Sequence, residues 1–129
     1  MKSLTSYIQE KLIIKKSNNN YKYFPETNKE LKDIIKQRIK QEGNEVDLND
    51  IDVSKITDMS YLFERTTFNG DISNWDVSNV TDMVSIFCDS VFNNDISNWD
   101  VSNVTNMRRM LGDCKSFNQD ISNWYVCLV

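Results

Sequence analysis

The chain has 129 residues, 40% hydrophobic and 26% charged, with a formal net charge of −4 at pH 7, which bounds it to one compact unit with at most a small appended cap. It contains no histidine, so the commonest general base and metal ligand is missing, and neither a glycine-rich phosphate loop nor a nucleophile motif is present. No apolar run approaches the roughly eighteen residues of a membrane span, and these exclusions lead us to expect a protein with no catalytic residues, no cofactor, no bound metal and no membrane contact.

Residues 1–45 are expected to form an N-terminal cap. Ser3 to Ile14 reads as a short helix through Leu4, Tyr7, Ile8 and Leu12, followed by a hairpin; Lys11–Lys15, Ser17–Asn20 and Tyr21–Phe24 also read as strand, turn and strand. Thr27-Asn-Lys-Glu30 is a capping box, and Leu31, Ile34, Ile35 and Ile39 form a stripe that ends near Gly43. Together they predict a helix over about residues 28–42. Lys29, Lys32, Lys36 and Lys40 share its outer side, either as a solvated face or as a basic docking strip.

From residue 46 to residue 129 the chain repeats itself. Asp71-Ile-Ser-Asn-Trp75-Asp-Val77-Ser-Asn-Val80 returns as Asp95 to Val104 and again as Asp120 to Val126, and Asp47 to Met59 fits the same register with Ile51 in the tryptophan position. The period is 24 residues from Trp75 to Trp99 and 25 from Trp99 to Trp124, the added residue falling between Met107 and Phe117 in an expected loop. About three such units meet the minimum for a continuous stacked core. Polar and apolar residues alternate through Asn74–Ser78, the pattern of a short strand. Val80, Met83, Ile86 and Phe87 recur at three and four, the pattern of a short helix. The expected fold is therefore α/β: a short right-handed leucine-rich-repeat-like solenoid with one strand and one helix per 24–25-residue repeat.

Val-Ser-Asn-Val-Thr-Asn-Met at 101–107 and Phe-Asn-Gln-Asp-Ile-Ser-Asn-Trp at 117–124 resemble the repeat of bacterial surface proteins known as the BspA-like or DUF285 module. The resemblance covers about two thirds of the chain, and it implies a right-handed solenoid used for adhesion or protein binding, without a catalytic site. The usual unit of that family has one residue more than the first two repeats here, and no secretion signal is legible at the N-terminus.

Several residues are candidates for binding. If Trp75 and Val77 point inward, Asp52, Asp76 and Asp100 form an outward ladder on strands about 4.8 Å apart. Neighbouring charges there repel by roughly 0.9 kcal/mol in water, which is expected to raise the pKa values of Asp76 and Asp100. The ladder is read either as carboxylates bonded to neighbouring Ser or Asn side chains or as a docking face for a cation or a Lys/Arg-rich partner. Asp71, Asp95 and Asp120 are read as turn formers, and Trp75, Trp99 and Trp124 as core, with a carbohydrate platform as the alternative. Arg108, Arg109 and Tyr125 break the repeat and, with Lys115, are the first place to look for a partner contact. The chain stops within an expected strand, so Trp124, Val126 and Leu128 are candidates for self-association, most simply as a two-fold homodimer through the C-terminal end.

Charge is divided along the chain. Residues 1–45 carry ten Lys or Arg against six acids, +4, and residues 46–129 carry five against thirteen, −8. An acidic repeat region repels phosphate, so the expected partner is a protein with a basic surface and not nucleic acid. Cys88, Cys114 and Cys127 are odd in number and lack metal-ligand spacing, which reads as reduced thiols in a cytoplasmic protein. The lack of alanine beside abundant Asn, Lys and Ile suggests an AT-rich coding sequence, hence a low-GC bacterium, its phages or its mobile elements. The leading expectation is a non-enzymatic protein-binding repeat module. A small intracellular inhibitor of the anti-CRISPR type, blocking a basic nuclease surface, and an adhesin fragment are the alternatives.

Overall fold

The structure, a computed structural model, describes residues 20–124. The helix and hairpin expected over residues 3–24 lie, up to residue 19, outside the described residues, as do Tyr125, Val126, Cys127 and Leu128.

Tyr23 enters first, in an isolated parallel bridge with Ile51, and the Asp52 N–H donates to its carbonyl at 2.8 Å. Helix α1 follows over Asn28–Glu42, the span that the capping box and stripe predict. The Thr27 hydroxyl accepts from the Glu30 N–H at 3.1 Å, and the Glu30 carboxylate reaches back to the Glu26 N–H at 3.1 Å. Gly43, at φ 94, ends the helix by donating to the Ile39 carbonyl. Leu31 and Ile35 are buried and join one core with the repeats. The buried Arg38 is held among them by Asp50 at 2.8 Å, by Glu42, and by the Asp47 carbonyl at 3.3 Å. Burial alone would lower its pKa, and the two carboxylates more than reverse this, leaving it raised.

The expected strand and helix in every repeat are not found, and the α/β solenoid is corrected accordingly. Among the described residues α1 is the only helix, and the extended pairing is limited to isolated bridges at Tyr23–Ile51, Asp58–Asp82 and Asp82–Asn106. The helix expected through Met83, Ile86 and Phe87 is instead a succession of turns, Met83–Ile86, Ser85–Cys88 and Phe87–Ser90, each closed by a bond from the fourth residue's N–H to the first residue's carbonyl. Ser85 and Asp89 take left-handed φ of 54 and 56 degrees. That reversal turns alternate N–H groups out of the chain: Met83, Ser85, Phe87 and Asp89 donate to Asn106, Arg108, Met110 and Gly112 at 2.8–2.9 Å. An α-helix would have sent them back to residue i−4. The sequence Val84-Ser-Ile-Phe-Cys-Asp-Ser90 is made of weak helix formers, so little is lost by leaving the helical path. The same arrangement links Met59, Tyr61, Phe63 and Arg65 to Asp82, Val84, Ile86 and Cys88.

The expected strand fails for a related reason. Trp75 and Val77 do point inward, at 4% and 1% exposure, but turns closed by Ile72–Trp75 and Val77–Val80 bracket them. Backbone carbonyls on this side are met by side chains instead of by a neighbouring strand. The Trp75 indole donates to the Leu48 carbonyl at 2.9 Å, that of Trp99 to Ile72 at 3.0 Å, and that of Trp124 to Ile96 at 3.1 Å. Asn79 and Asn103 donate to Ser54 and Ser78 at 2.7 and 2.6 Å.

Inside, equivalent rings stack from unit to unit: Phe63 on Phe87, Phe68 on Phe92, Phe92 on Phe117, and Trp75 on Trp99, with centroids 5.6–6.3 Å apart. The residue added in the third unit is absorbed by an extra turn, Cys114–Phe117. Gly70 stands where the later units have Asn94 and Gln119, because a Cβ there would lie 2.0 Å from the Val46 carbonyl oxygen.

Candidate functional site

Each repeat carries three turns in which an Asp or Asn side chain accepts the N–H two residues on. Asp47, Asp71, Asp95 and Asp120 hold the first, Asp52, Asp76 and Asp100 the second, and Asp58, Asp82 and Asn106 the third. The expected acidic ladder Asp52, Asp76, Asp100 thus consists of turn formers as well as surface charges. Asp76 accepts from the Ser78 N–H at 3.1 Å and its hydroxyl at 2.6 Å, and Asp100 does the same with Ser102.

These bonds change the electrostatics of the ladder. The expected rise in the pKa of Asp100 from like-charge repulsion is corrected: the Ser102 hydroxyl, then the Ser102 N–H, hold it below the usual carboxylate value. Asp120 is lowered in the same order by Ser122, Asp95 by the Ser97 N–H and hydroxyl, and Asp71 by the Ser73 N–H, then its hydroxyl, then the Asn49 side chain. Repulsion from Asp71 is present at Asp95 but is outweighed. Hydrogen bonds to the ionised form keep these carboxylates charged without drawing in a counterion. Among the described residues no group of three or more His, Cys, Asp or Glu could hold a metal ion.

Arg108 and Arg109 lie on the face made by the turns, both exposed. Arg109 donates to the Cys88 sulfur at 3.2 Å and pairs with Asp113 at 3.7 Å; the Cys88 contact comes first in raising its pKa. No hydrogen bond or ion pair joins either arginine to Asp52, Asp76 or Asp100, so the ladder and the arginines are separate features. Tyr125 lies outside the described residues. Trp124 is half-buried and packs on the core, whereas Val126 and Leu128, the other residues of the expected dimer contact, are outside the described residues. Cys88 and Cys114 are free thiols, both buried. In α1, Lys29 pairs with Asp33 at 3.1 Å and Lys32 lies 6.0 Å from the Tyr61 ring centroid, so half of the expected basic strip is engaged within the molecule. No helix among the described residues is long and apolar enough to cross a membrane.

One feature was not anticipated from the sequence: the rows of backbone N–H groups that point along the stack. The one local signal for it is the run of weak helix formers from Val84 to Ser90 in the middle unit, since the groups themselves are common to every residue.

A module of stacked turn units of 24 to 25 residues with a carboxylate-lined exterior is the class of protein that these observations define. Residues 29–129 match the family described as "Mycoplasma protein of unknown function, DUF285", and the chain belongs to that family. No curated protein and no solved structure is significantly similar to it.

Proposed function

We propose that this chain is a non-enzymatic protein-binding module whose acidic exterior docks on a basic protein surface. The observation that carries this reading is a choice of side chain. Asn106 accepts the Arg108 N–H at 3.1 Å in the place where Asp82 accepts from Val84 at 2.9 Å, so asparagine serves this kind of turn in this very chain. Asparagine would therefore keep the fold at the other acidic turns, yet aspartate fills Asp52, Asp76 and Asp100 and also Asp47, Asp71, Asp95 and Asp120. The turns themselves require only an acceptor, and the carboxylates add to it a negative field that complements a cationic partner.

The likeness of residues 101–107 and 117–124 to the BspA-like repeats of bacterial surface proteins supports a binding role in place of catalysis. The test is affinity capture of cellular proteins on the immobilised full chain. The expected result is a protein with a cationic surface that is released as salt shortens the Debye length below about 10 Å. Retention of nucleic acid, or of proteins whose binding ignores salt, would overturn the reading.

A further inference from the structure

Helix α1 turns one side to the core, where Leu31, Ile35 and Arg38 are buried. The helical wheel therefore sets Lys29, Lys36 and Lys40 on the opposite side, with Lys32 at its margin. The acids of the helix are already engaged: Glu30 in the cap, Asp33 with Lys29, and Glu42 with Arg38. Lys36 and Lys40 are exposed and make no ion pair or hydrogen bond with a described residue. The outer side of α1 is thus a strip of lysines without a partner over half of its length.

The aspartates of the first turn in each unit, Asp47, Asp71, Asp95 and Asp120, make a row of opposite sign. All four are exposed, and none joins an ion pair among the described residues. Hydrogen bonds from Ser73, Ser97 and Ser122 hold Asp71, Asp95 and Asp120 below the usual carboxylate value, so they stay charged. Neighbouring units are about 4.8 Å apart where backbones pair and 5.6–6.3 Å apart at the stacked rings. The lysines of α1 advance by three or four residues at a time, about 4.5 to 6 Å along the helix axis. Four carboxylates from Asp47 to Asp120 and four lysines from Lys29 to Lys40 are therefore rows of like pitch and like length, about 15 to 17 Å.

We propose that the lysine side of α1 docks on the Asp47, Asp71, Asp95 and Asp120 row of a second copy of this chain, the helix lying along the stack with its ammonium groups facing the carboxylates. This rests on the reading that the acidic exterior meets a basic protein surface, and it names one such surface. The two rows do not meet within one molecule. The start of α1 is held by the Asn28 amide on the Asp58 and Ser60 carbonyls at 3.0 and 3.2 Å, and its end by Arg38 on Asp50 at 2.8 Å, which leaves the lysines turned away from the repeats. Opposite sign and matched pitch are both carried by this chain, and they select a second copy as the occupant. Exposed ion pairs are individually weak, so the contact is one that salt disperses. Asp52, Asp76 and Asp100 belong to the other row of turns, and exchanging them for asparagine leaves this one intact.

The test is sedimentation equilibrium of the full chain at up to about 1 mM, in about 10 and about 100 mM salt, where the Debye length is about 30 and about 10 Å. The wild-type chain should self-associate at the lower salt, with a Kd about tenfold or more weaker at the higher. Lys36→Glu with Lys40→Glu, and separately Asp71→Asn with Asp95→Asn, should each weaken association about tenfold in variants that circular dichroism shows to be folded. Lys22→Glu with Lys115→Glu changes the net charge as much as the first pair and should weaken it far less. The asparagine pair discriminates most sharply, because it lowers the net negative charge. Simple repulsion between copies predicts stronger association of that variant, and docked rows predict weaker association. The proposal is overturned if the wild-type chain stays monomeric at about 1 mM and low salt, if the lysine exchange leaves association unchanged, or if the asparagine exchange strengthens it. A chain that stays monomeric yet captures a basic protein overturns this inference alone, whereas a chain that does neither takes with it the reading on which the inference rests.

Discussion

Replacing Trp99 by alanine attacks the centre of the stack. The side chain is 3% exposed, lies against Trp75 and Phe87 with centroids 6.3 and 6.2 Å away, and donates its indole N–H to the Ile72 carbonyl at 3.0 Å. Truncation of a buried tryptophan costs about 3 to 5 kcal/mol. The lost hydrogen bond adds only about 0.5 to 1.5 kcal/mol, because the Ile72 carbonyl still accepts from the Trp75 N–H at 3.2 Å. A total of about 3.5 to 6.5 kcal/mol stands against a whole-domain stability of about 5 to 15 kcal/mol. With a urea dependence of about 1 to 3 kcal/mol per molar, the unfolding midpoint followed by circular dichroism should fall by about 1 M or more, or the variant should be unfolded in buffer. Trp99→Phe keeps an aromatic ring in the stack, loses the donor, and should be affected much less. An alanine variant whose midpoint moves by less than about 0.5 M would refute the reasoning and return the tryptophans to the role of a surface platform.

Three further outcomes follow from the same contacts. Gly70→Ala, whose Cβ would meet the Val46 carbonyl at 2.0 Å, should cost about 1 to 3 kcal/mol by crowding backbone that cannot rotate away; an unchanged thermal midpoint would show that the backbone at Val46 is not pressed against Gly70. Arg38→Met should destabilise by about 1 to 3 kcal/mol, less than the loss of one partner from a fully buried pair, because the Asp50 and Glu42 side chains it leaves behind are 22% and 49% exposed and can be hydrated. Urea titration measures this, and a gain in stability would mean that the guanidinium costs more to desolvate than its carboxylates return. The folded-state pKa values of Asp71, Asp95, Asp100 and Asp120 are lowered. Their stabilising contribution is thus present above the unfolded value of about 3.9 and is lost as pH falls through the folded values. Melting temperature should therefore be flat down to about pH 5 and drop below about pH 4, whereas a rise on acidification would restore the picture of a self-repelling ladder.

Residue by residue, the sequence was informative about what is inside and less so about the path of the backbone. The inward placement of Trp75, Trp99, Val77 and Val101, the outward placement of Asp76 and Asp100, and the span of α1 all follow from alternation, period and capping chemistry. The helix expected through Met83, Ile86 and Phe87 did not form because spacings of three and four also bring side chains together on successive turns closed from residue i to i+3. Periodicity cannot separate the two paths. The Asp-x-Ser pairs could have done so, since each one supplies a side-chain acceptor that competes with regular pairing. Gly70 was legible as the one glycine within the repeats that replaces an Asn or Gln, though the approach of Val46 was not. Arg38 was hidden among the lysines of α1, and its partner Asp50 lies beyond the helix, where no local pattern links the two.

Exchange of Asp52, Asp76 and Asp100 together for asparagine tests the central claim most directly, because it removes three negative charges while keeping every turn acceptor. The measurement is the amount of basic protein captured by the immobilised wild-type and triple-variant chains at equal loading and salt. The expected result is a folded variant whose melting temperature is modestly lowered by loss of the charge-assisted bonds to Asp100, with a large loss of capture. Capture undiminished in the folded variant would contradict it, leaving the aspartates as turn formers alone.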